Sequence, residues 1–380
     1  MRRLLSLILL AVLVFLARPL WEGPVSRYVD LSFLDRFDAA IADFRDKPAV
    51  NEAIGKIGDG AESLYAKLEQ SVKDDRARRQ GAATETVDKP NLETPADAPV
   101  TVHNLAIGDP QDRVRAELGE PARSTTNEYG TAWDTYHDGY HNFVMVSADA
   151  KGRVNGLYTN QDMIASRDGI KYGSRKAEVR AAYGKPLDRI IKGRNAFLMQ
   201  DTGEYDVYEL GGSYVTFFYD VHQKDTVTAV QLIDKKLELN HNALYASGGA
   251  SLKEGFERQL FDLTNAARVA HGESVLDWDG RTAGTAVKHS EDMAQNGYFA
   301  HENLKGQSPF DRMAEDGIQF RGAGENLAYG QPSAIFAHEG LMNSLGHRKN
   351  ILNRDYRLLG VGVAFNEDNQ PYYTENFLFR

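Results

Sequence analysis

The chain has 380 residues, a formal net charge of −10 and no cysteine. Its 42% hydrophobic and 26% charged content is that of a globular protein, long enough for two domains plus connecting material. The acidic balance argues against a nucleic-acid partner, which needs clustered Lys and Arg; the absent thiols exclude disulfides, thiolate metal sites, cysteine nucleophiles and lipid attachment to cysteine.

Arg2 and Arg3 precede an apolar run from Leu4 to Ala17. That run matches a signal-peptide core and falls short of the roughly 17–25 residues of a spanning helix. Extension through Arg18 to Trp21 adds a cation that can snorkel and an interfacial ring, and Phe15 before Ala17 makes a poor cleavage site. Segment 1–21 therefore reads as a signal anchor or transmembrane segment, with a removed signal peptide as the alternative. Either reading puts the bulk of the chain outside the cytoplasm. The expectation is a single-pass protein of the cell membrane, in a bacterial envelope, that meets the membrane through its N-terminal helix. Residues 22–70 read as a helical stalk: Phe33, Leu34, Phe37, Ile41 and Phe44 share one face, and Lys47-Pro48 breaks the run. Residues 71–100 hold almost no large apolar side chain and read as a disordered linker.

Residues 101–240 contain a duplication. "IGDPQDRVRAELGEP" from Ile107 is answered by "IKYGSRKAEVRAAYGKP" from Ile170, with Gly108, Val114, Gly119 and Pro121 matching Gly173, Val179, Gly184 and Pro186. "WDTY", "HNFVMV" and "VNGL" then find counterparts in "YDVY", "YVTFFY" and "VTAV". Each copy is predicted to be a short helix closed by Gly-x-Pro and followed by about three strands, and two copies sharing a sheet make one α+β domain. Its histidines (His103, His137, His141, His222 and His241) suit surface or packing roles, and no residue suggests catalysis.

Residues 251–380 turn to long helices. Ser251 and Glu254 suggest a capping box before the stripe Phe256, Leu260, Leu263, Ala267. A second helix is predicted after Asp279 and stops at Gly297; a third is capped by Ser308 with Pro309 in its first turn; a fourth runs from Pro332 to about Leu345. "LLGVGVAFNEDNQPYYTENFLFR" reads as a closing β-hairpin. Segments between these elements carry His301, Glu325 and His347. Two imidazoles and a carboxylate suit a divalent metal or general acid–base work, while the bland reading is a set of polar residues bonding turn backbones. "HEGLM" at 338 lacks the second histidine of a zinc protease, and Ser344 with His347 has no evident third member for a serine nucleophile. Arg348 and Lys349 read as the solvated cationic end of a helix.

"HSEDMAQNGYFAH", "SPFDRMAEDGI", "AGENLAYG" and "MNSLGHRKNIL" followed by "GVGVAF" resemble a bacterial member of the CAP superfamily, the family of cysteine-rich secretory proteins, antigen 5 and pathogenesis-related proteins. The match covers about residues 256–380. The repeat domain with its N-terminal anchor resembles the CAP-associated domain of Bacillus-type envelope proteins. The resemblance implies an α-β-α sandwich whose cleft holds two histidines and two acids. By motif these are His301, Glu325 and His347, while the fourth acid falls on Ser344, with Leu341 in a tryptophan's place. Glu339, about 140° around the helix from Ser344, does not replace it. The cleft is expected to include His301, Glu325, His347, Ser344 and Asn326; Asn326 and Asn343 are expected to orient loops. Members have been linked to lipid and sterol binding, protein interaction and, rarely, proteolysis. The expectation is an α+β, envelope-anchored module that binds an unknown envelope ligand or protein partner. A divalent metal such as zinc is its candidate cofactor, at His301 and His347. The alternative is a metal-dependent hydrolase of peptides or cell-wall material with Glu325 as base.

Overall fold

The computed structural model describes residues 87–199 and 202–380. The expected membrane segment 1–21 and stalk 22–70 lie outside the described residues. Among the described residues no helix is long and apolar enough to cross a membrane. The last part of the expected linker is fastened down. Asn142 Nδ2 donates to the Asp88 carbonyl at 2.9 Å, Asn104 Nδ2 donates to the Asn91 carbonyl at 2.8 Å, and Asn104 Oδ1 accepts from the Glu93 N–H at 2.9 Å. These bonds satisfy the backbone without apolar side chains, so composition does not signal them.

Strand β1 (Val100–Val102) leads into the first repeat: α1 (Gln111–Leu118), β2 (Arg123–Thr126), β3 (Ala132–Asp138), β4 (His141–Ala148) and β5 (Val154–Thr159). A short β6 (Ile164–Ser166) pairs back on β1. The second repeat supplies α2 (Lys176–Tyr183), β7 (Arg189–Lys192), β8 (Asn195–Leu198), β9 (Tyr205–Leu210), β10 (Ser213–Asp220) and β11 (Thr226–Asp234). The two copies do share one antiparallel sheet, in the order β2-β3-β4-β5-β11-β10-β9. They meet at its centre, where Leu157 of β5 lies opposite Leu232 of β11. The copies differ after the helix: β7, in the sequence position of β2, leaves the sheet and forms a separate ribbon with β8, an added strand.

Side chains alternate across a strand, and here both faces are apolar. On β4, Val144 and Val146 join Val114 of α1 and Val179 of α2, while Phe143 and Met145 face the other way. On β10, Phe217 and Tyr219 face the helices and Phe218 the opposite side. That second face is covered by the C-terminal half. After α3 (Lys235–Asn240), helix α4 (Ala250–Ala270) brings Leu252, Phe256, Leu260 and Leu263 into the same core as Phe143, Met145 and Phe218. Contact is close enough that a Cβ on Gly255 would stand 2.0 Å from the Thr126 carbonyl oxygen, so only glycine fits.

Several polar groups at this interface are paired across it. Asp262 accepts from Arg123 Nε at 2.9 Å and from the Tyr140 hydroxyl at 2.9 Å. Gln161 Nε2 donates to the Ala266 carbonyl at 3.0 Å.

The C-terminal half is a three-layer unit. Its elements are β12 (Asp277–Trp278), α5 (Gly280–Asn296), α6 (Pro309–Glu315), β13 (Gly322–Tyr329), α7 (Ala334–Asn343), α8 (Leu345–Ile351), β14 (Leu358–Phe365) and β15 (Pro371–Phe379). The sheet runs β12-β14-β15-β13, with β14 and β15 forming the expected hairpin. Leu359, Val361 and Val363 join the core beneath α4, whereas Gly360 and Gly362 face α5. A Cβ at either glycine would lie within 2.2 Å of an α5 backbone nitrogen. Ser308 caps α6, as read from the sequence, and Asp279, after which a helix is predicted, caps α5 by accepting from the Thr282 N–H.

Two helix boundaries differ from expectation. Helix α4 begins at Ala250 with Gly249 as its uncapped N-cap, so Ser251 lies inside the first turn and forms no capping box. The Gly248 N–H bond to Asn369 Oδ1 at 2.9 Å sets the chain's approach instead. The expected helix 332–345 is α7, which ends at Asn343; the chain breaks at Ser344 (φ −92, ψ 114) and continues as a separate helix, α8. Asn343, the last residue of α7, is held by the first half: its Nδ2 donates to the Tyr219 carbonyl and its Oδ1 accepts from the Val221 N–H.

Arg348 is likewise not a solvated helix end. It is buried, donating to Asp220 Oδ2 at 2.8 Å and to the Met342 carbonyl at 3.2 Å, with His271 Nε2 at 3.1 Å. Its neighbour Lys349 is exposed. Removing one partner of a buried pair costs about 3–5 kcal/mol, and changing an exposed lysine costs about 0.5 kcal/mol or less. Arg348→Ala is therefore expected to lower the urea midpoint strongly and Lys349→Ala to leave it in place. Equal midpoints for the two variants would contradict this role for Arg348.

Candidate functional site

His301 follows α5 on a loop whose path is set by backbone bonds to buried side chains. His289, inside α5, places Nε2 3.0 Å from the Ala300 carbonyl. Arg312 of α6 donates Nη1 to the His301 carbonyl at 2.7 Å and to the Gln307 carbonyl at 3.0 Å. The other end of the Arg312 guanidinium donates Nη2 to Glu325 Oε2 at 2.6 Å. Glu325 lies mid-strand on β13 with its side chain 1% exposed, and its second oxygen, Oε1, is 2.9 Å from His301 Nδ1. One buried carboxylate thus joins a buried arginine to a half-exposed imidazole. A buried charge is tolerated only when paired and hydrogen-bonded, and Glu325 meets both conditions.

His347 is fixed differently. Ser344 is the N-cap residue of α8 and His347 lies three positions on, with its Nδ1 2.8 Å from Ser344 Oγ. The pair spans the first turn, as a cap residue and the third helical residue do. Ser344 therefore orients the imidazole through Nδ1. Burial lowers the His347 pKa below its ordinary 6.5, and the neighbouring His301 charge adds to that. His347 is neutral at pH 7.

Asn326, expected in the cleft, lies beneath it and is fully buried. Successive residues of β13 point to opposite faces, so Asn326 turns away from the side Glu325 takes. Its Nδ2 donates to the His347 carbonyl at 3.2 Å and to Glu375 Oε2 at 3.0 Å, and its Oδ1 accepts from Asn350 Nδ2 at 2.9 Å. Glu375 is buried, its carboxyl pushed up to about 7 by desolvation against hydrogen bonds from Thr264 and Asn326. This network holds α8 to the sheet and so places His347. Glu339 accepts from the Tyr158 hydroxyl at 2.5 Å at the interface between the halves and takes no part in the cleft.

The structure thus brings His301 and Glu325 into direct contact, puts the His347 and His301 charges within influence of each other, and makes Ser344 a positioning partner. Sequence reading passed over Arg312 and His289. Both fall within the quoted motifs, but an arginine inside a capped helix and a histidine on an apolar stripe carry no signal of their partners. Among the described residues no group of three or more His, Asp or Glu side chains is placed to hold a metal ion. The donors the cleft offers are the Nε2 atoms of His301 and His347, which have no protein partner among the described residues. An imidazole oriented through Nδ1 by a carboxylate or hydroxyl, with Nε2 outward, is the form that metal-binding histidines take. Two imidazole nitrogens are fewer than the three or four protein ligands that zinc sites take.

Depression of a histidine's pKa has a definite sign. The unfolded chain takes up this proton near pH 6.5 and the folded chain only at lower pH, so stability declines as pH falls below 6.5 by this group's share. In an NMR titration His347 is expected to titrate below 6.5, and His301→Asn to move its midpoint upward. A midpoint at or above 6.5, or one unmoved in the variant, would contradict this arrangement.

Known proteins match the chain along both halves. Residues 107–244 match the CAP-associated N-terminal family and residues 261–377 the cysteine-rich secretory protein family. An uncharacterized membrane protein of Bacillus subtilis, YlbC, is 32% identical over 292 residues, covering 72% of this chain and 82% of the relative. A second Bacillus subtilis protein, YkwD, is 31% identical over 170 residues, covering 42% of this chain and 65% of its own. An extracellular protein containing an SCP domain from Bacillus anthracis superposes with a TM-score of 0.64 at 28% identity, over 77% of this chain and 100% of that one. A cysteine-rich secretory protein from Staphylococcus aureus shares the fold with a TM-score of 0.56 at 17% identity, over 72% of this chain and 94% of that one.

Proposed function

We infer function from the premise that this chain belongs to the cysteine-rich secretory protein family and carries a CAP-associated domain ahead of the family domain. On our reading it is a membrane-associated or extracellular module of the cell envelope. It binds a ligand or protein partner at the cleft of His301, Glu325, Ser344 and His347. The name of its Bacillus subtilis relative and the extracellular source of its Bacillus anthracis neighbour support the location. The N-terminal segment 1–21 would supply the single-pass anchor.

One observation carries the binding reading: each imidazole is tied down through Nδ1 and leaves Nε2 outward without a protein partner among the described residues. Such a pair can give two of the ligands of a divalent cation of the zinc type, or accept and donate hydrogen bonds to a polar partner. A bound cation would supply positive charge and open coordination positions to a partner's oxygen or nitrogen. The residues themselves orient and position: Arg312 holds Glu325, Glu325 orients His301, and Ser344 orients His347. The hydrolase alternative needs Glu325 to take a proton from water. Both Glu325 oxygens already have protein partners in His301 and Arg312, which favours orientation over base catalysis.

Metal content and calorimetric titration with zinc test the cleft directly. Wild type is expected to bind and His301→Ala/His347→Ala to lose about tenfold or more in affinity, the scale of losing metal ligation or its orienting partners. Equal zinc affinity in both proteins would remove the cation from the reading. Turnover of peptidoglycan or peptide substrates that disappears in Glu325→Gln would overturn the binding reading in favour of the hydrolase.

A further inference from the structure

A cavity of about 380 Å³ lies away from the histidine cleft, between the open end of the seven-stranded sheet and the segment that joins β13 to α7. That volume falls in the range of small-molecule sites. Its floor is Phe218 of β10 with Gln231 and Ile233 of β11, and its roof is the β7–β8 ribbon with Ile190 and Phe197. Phe336 of α7 closes the far side. The ribbon is formed where β7, in the sequence position of β2, pairs with β8 instead of joining the sheet.

Two features of the lining stand out. The first is its rings: Tyr205, Phe218 and Phe336 pack with centroids 5.2 to 6.0 Å apart, and Tyr129, Tyr245 and Tyr329 add three phenols. The second is its charge. Glu128, Glu204, Glu238 and Glu339 line the cavity, against one lysine or arginine, Lys192. Lys192 is already committed, with Nζ 2.5 Å from Glu238 Oε1 and 4.7 Å from the centre of the Phe197 ring. Burial, with the Lys192 charge beside it, lowers the His241 pKa below its ordinary 6.5, which disfavours a positive charge there.

Two polar atoms in this lining have no partner although their residues are more than nine-tenths buried. They are Glu128 Oε2, on a residue 8% exposed, and Gln231 Nε2, on a residue 3% exposed. Buried polar groups are ordinarily satisfied, and both of these atoms are shielded from solvent. Desolvation pushes the Glu128 carboxyl up to about 7 against hydrogen bonds from its own backbone and Trp133, with the Glu238 charge acting in the same direction as burial.

We propose that this interdomain cavity binds a small organic cation, an ammonium group on an apolar body, between the aromatic rings and the Glu128 and Glu204 carboxylates. The faces of aromatic rings attract cations, and nearby carboxylates strengthen that attraction where water is excluded. Lys192 over Phe197 is an internal instance of the same contact. An anionic amphiphile would meet the surplus carboxylates and no free cation among the described lining. A neutral one would fill the apolar volume and leave the carboxylate field unanswered.

Calorimetric titration of the purified full chain at pH 7.5 distinguishes these ligands, with benzyltrimethylammonium, benzyl alcohol and phenylacetate as probes. The ammonium is expected to bind about tenfold or more tighter than the alcohol, and phenylacetate to give no binding. Glu128→Gln and Phe336→Leu are each expected to weaken the ammonium by about three- to tenfold. Should Glu128→Gln fail to fold, Glu204→Gln on the half-buried rim gives the same readout. Equal affinities for ammonium and alcohol, or ammonium binding unchanged in the folded Glu→Gln variant, would overturn the proposal.

Discussion

A sheet that is apolar on both faces cannot stand with one face in water, and the architecture follows from that constraint. The helices of the two repeats cover one face with Val114 and Val179. Among the described residues no second pair of repeat helices covers the other, and α4 of the C-terminal half lies there instead. Gly255 against the Thr126 carbonyl shows how close the approach is. The halves are therefore layers of one structure, although each matches a separate family. Gln161, Asn343, Asp262 and Arg348 bond across the boundary, so few buried polar groups would survive its opening without loss.

Helix α8 links that boundary to the cleft. It has seven residues, and two neighbours on it point to opposite tasks. His347 turns outward beside Ser344, while Arg348 turns inward to Asp220 of the repeat domain. Asn326 and Asn350 then clamp the same helix to β13. The position of one cleft histidine thus depends on bonds to both halves. Its partner, His301, is placed by His289 and Arg312, which belong wholly to the C-terminal half. One wall of the cleft answers to the interface and the other does not.

Much of this was legible beforehand. The duplication, the shared sheet, the helix start after Asp279, the cap Ser308 and the final hairpin follow from spacing and local chemistry, which act over a few residues. His301, Glu325 and His347 were visible because each stands beside a glycine-marked element end in an ordered motif. Arg312 and His289 were passed over because their roles lie in contacts across tens of residues, whereas Asn326 bonds the His347 carbonyl as expected but from beneath the cleft. Arg348 shows the limit plainly: beside Lys349 it looks like half of a solvated charge pair. Only the approach of Asp220, 128 residues earlier, makes it a buried strut.

By itself, then, the sequence determined the elements, the repeat, the family and the identity of the outward imidazoles. These depend on period, turn chemistry and residue type, all of which are local. Tertiary structure decided where a helix breaks, as at Ser344, which carboxylate orients and which is buried for packing, and that two family domains share a core. Those outcomes depend on which polar groups meet when apolar faces close. A strand that is apolar on both sides announces that it will be covered, but not by what.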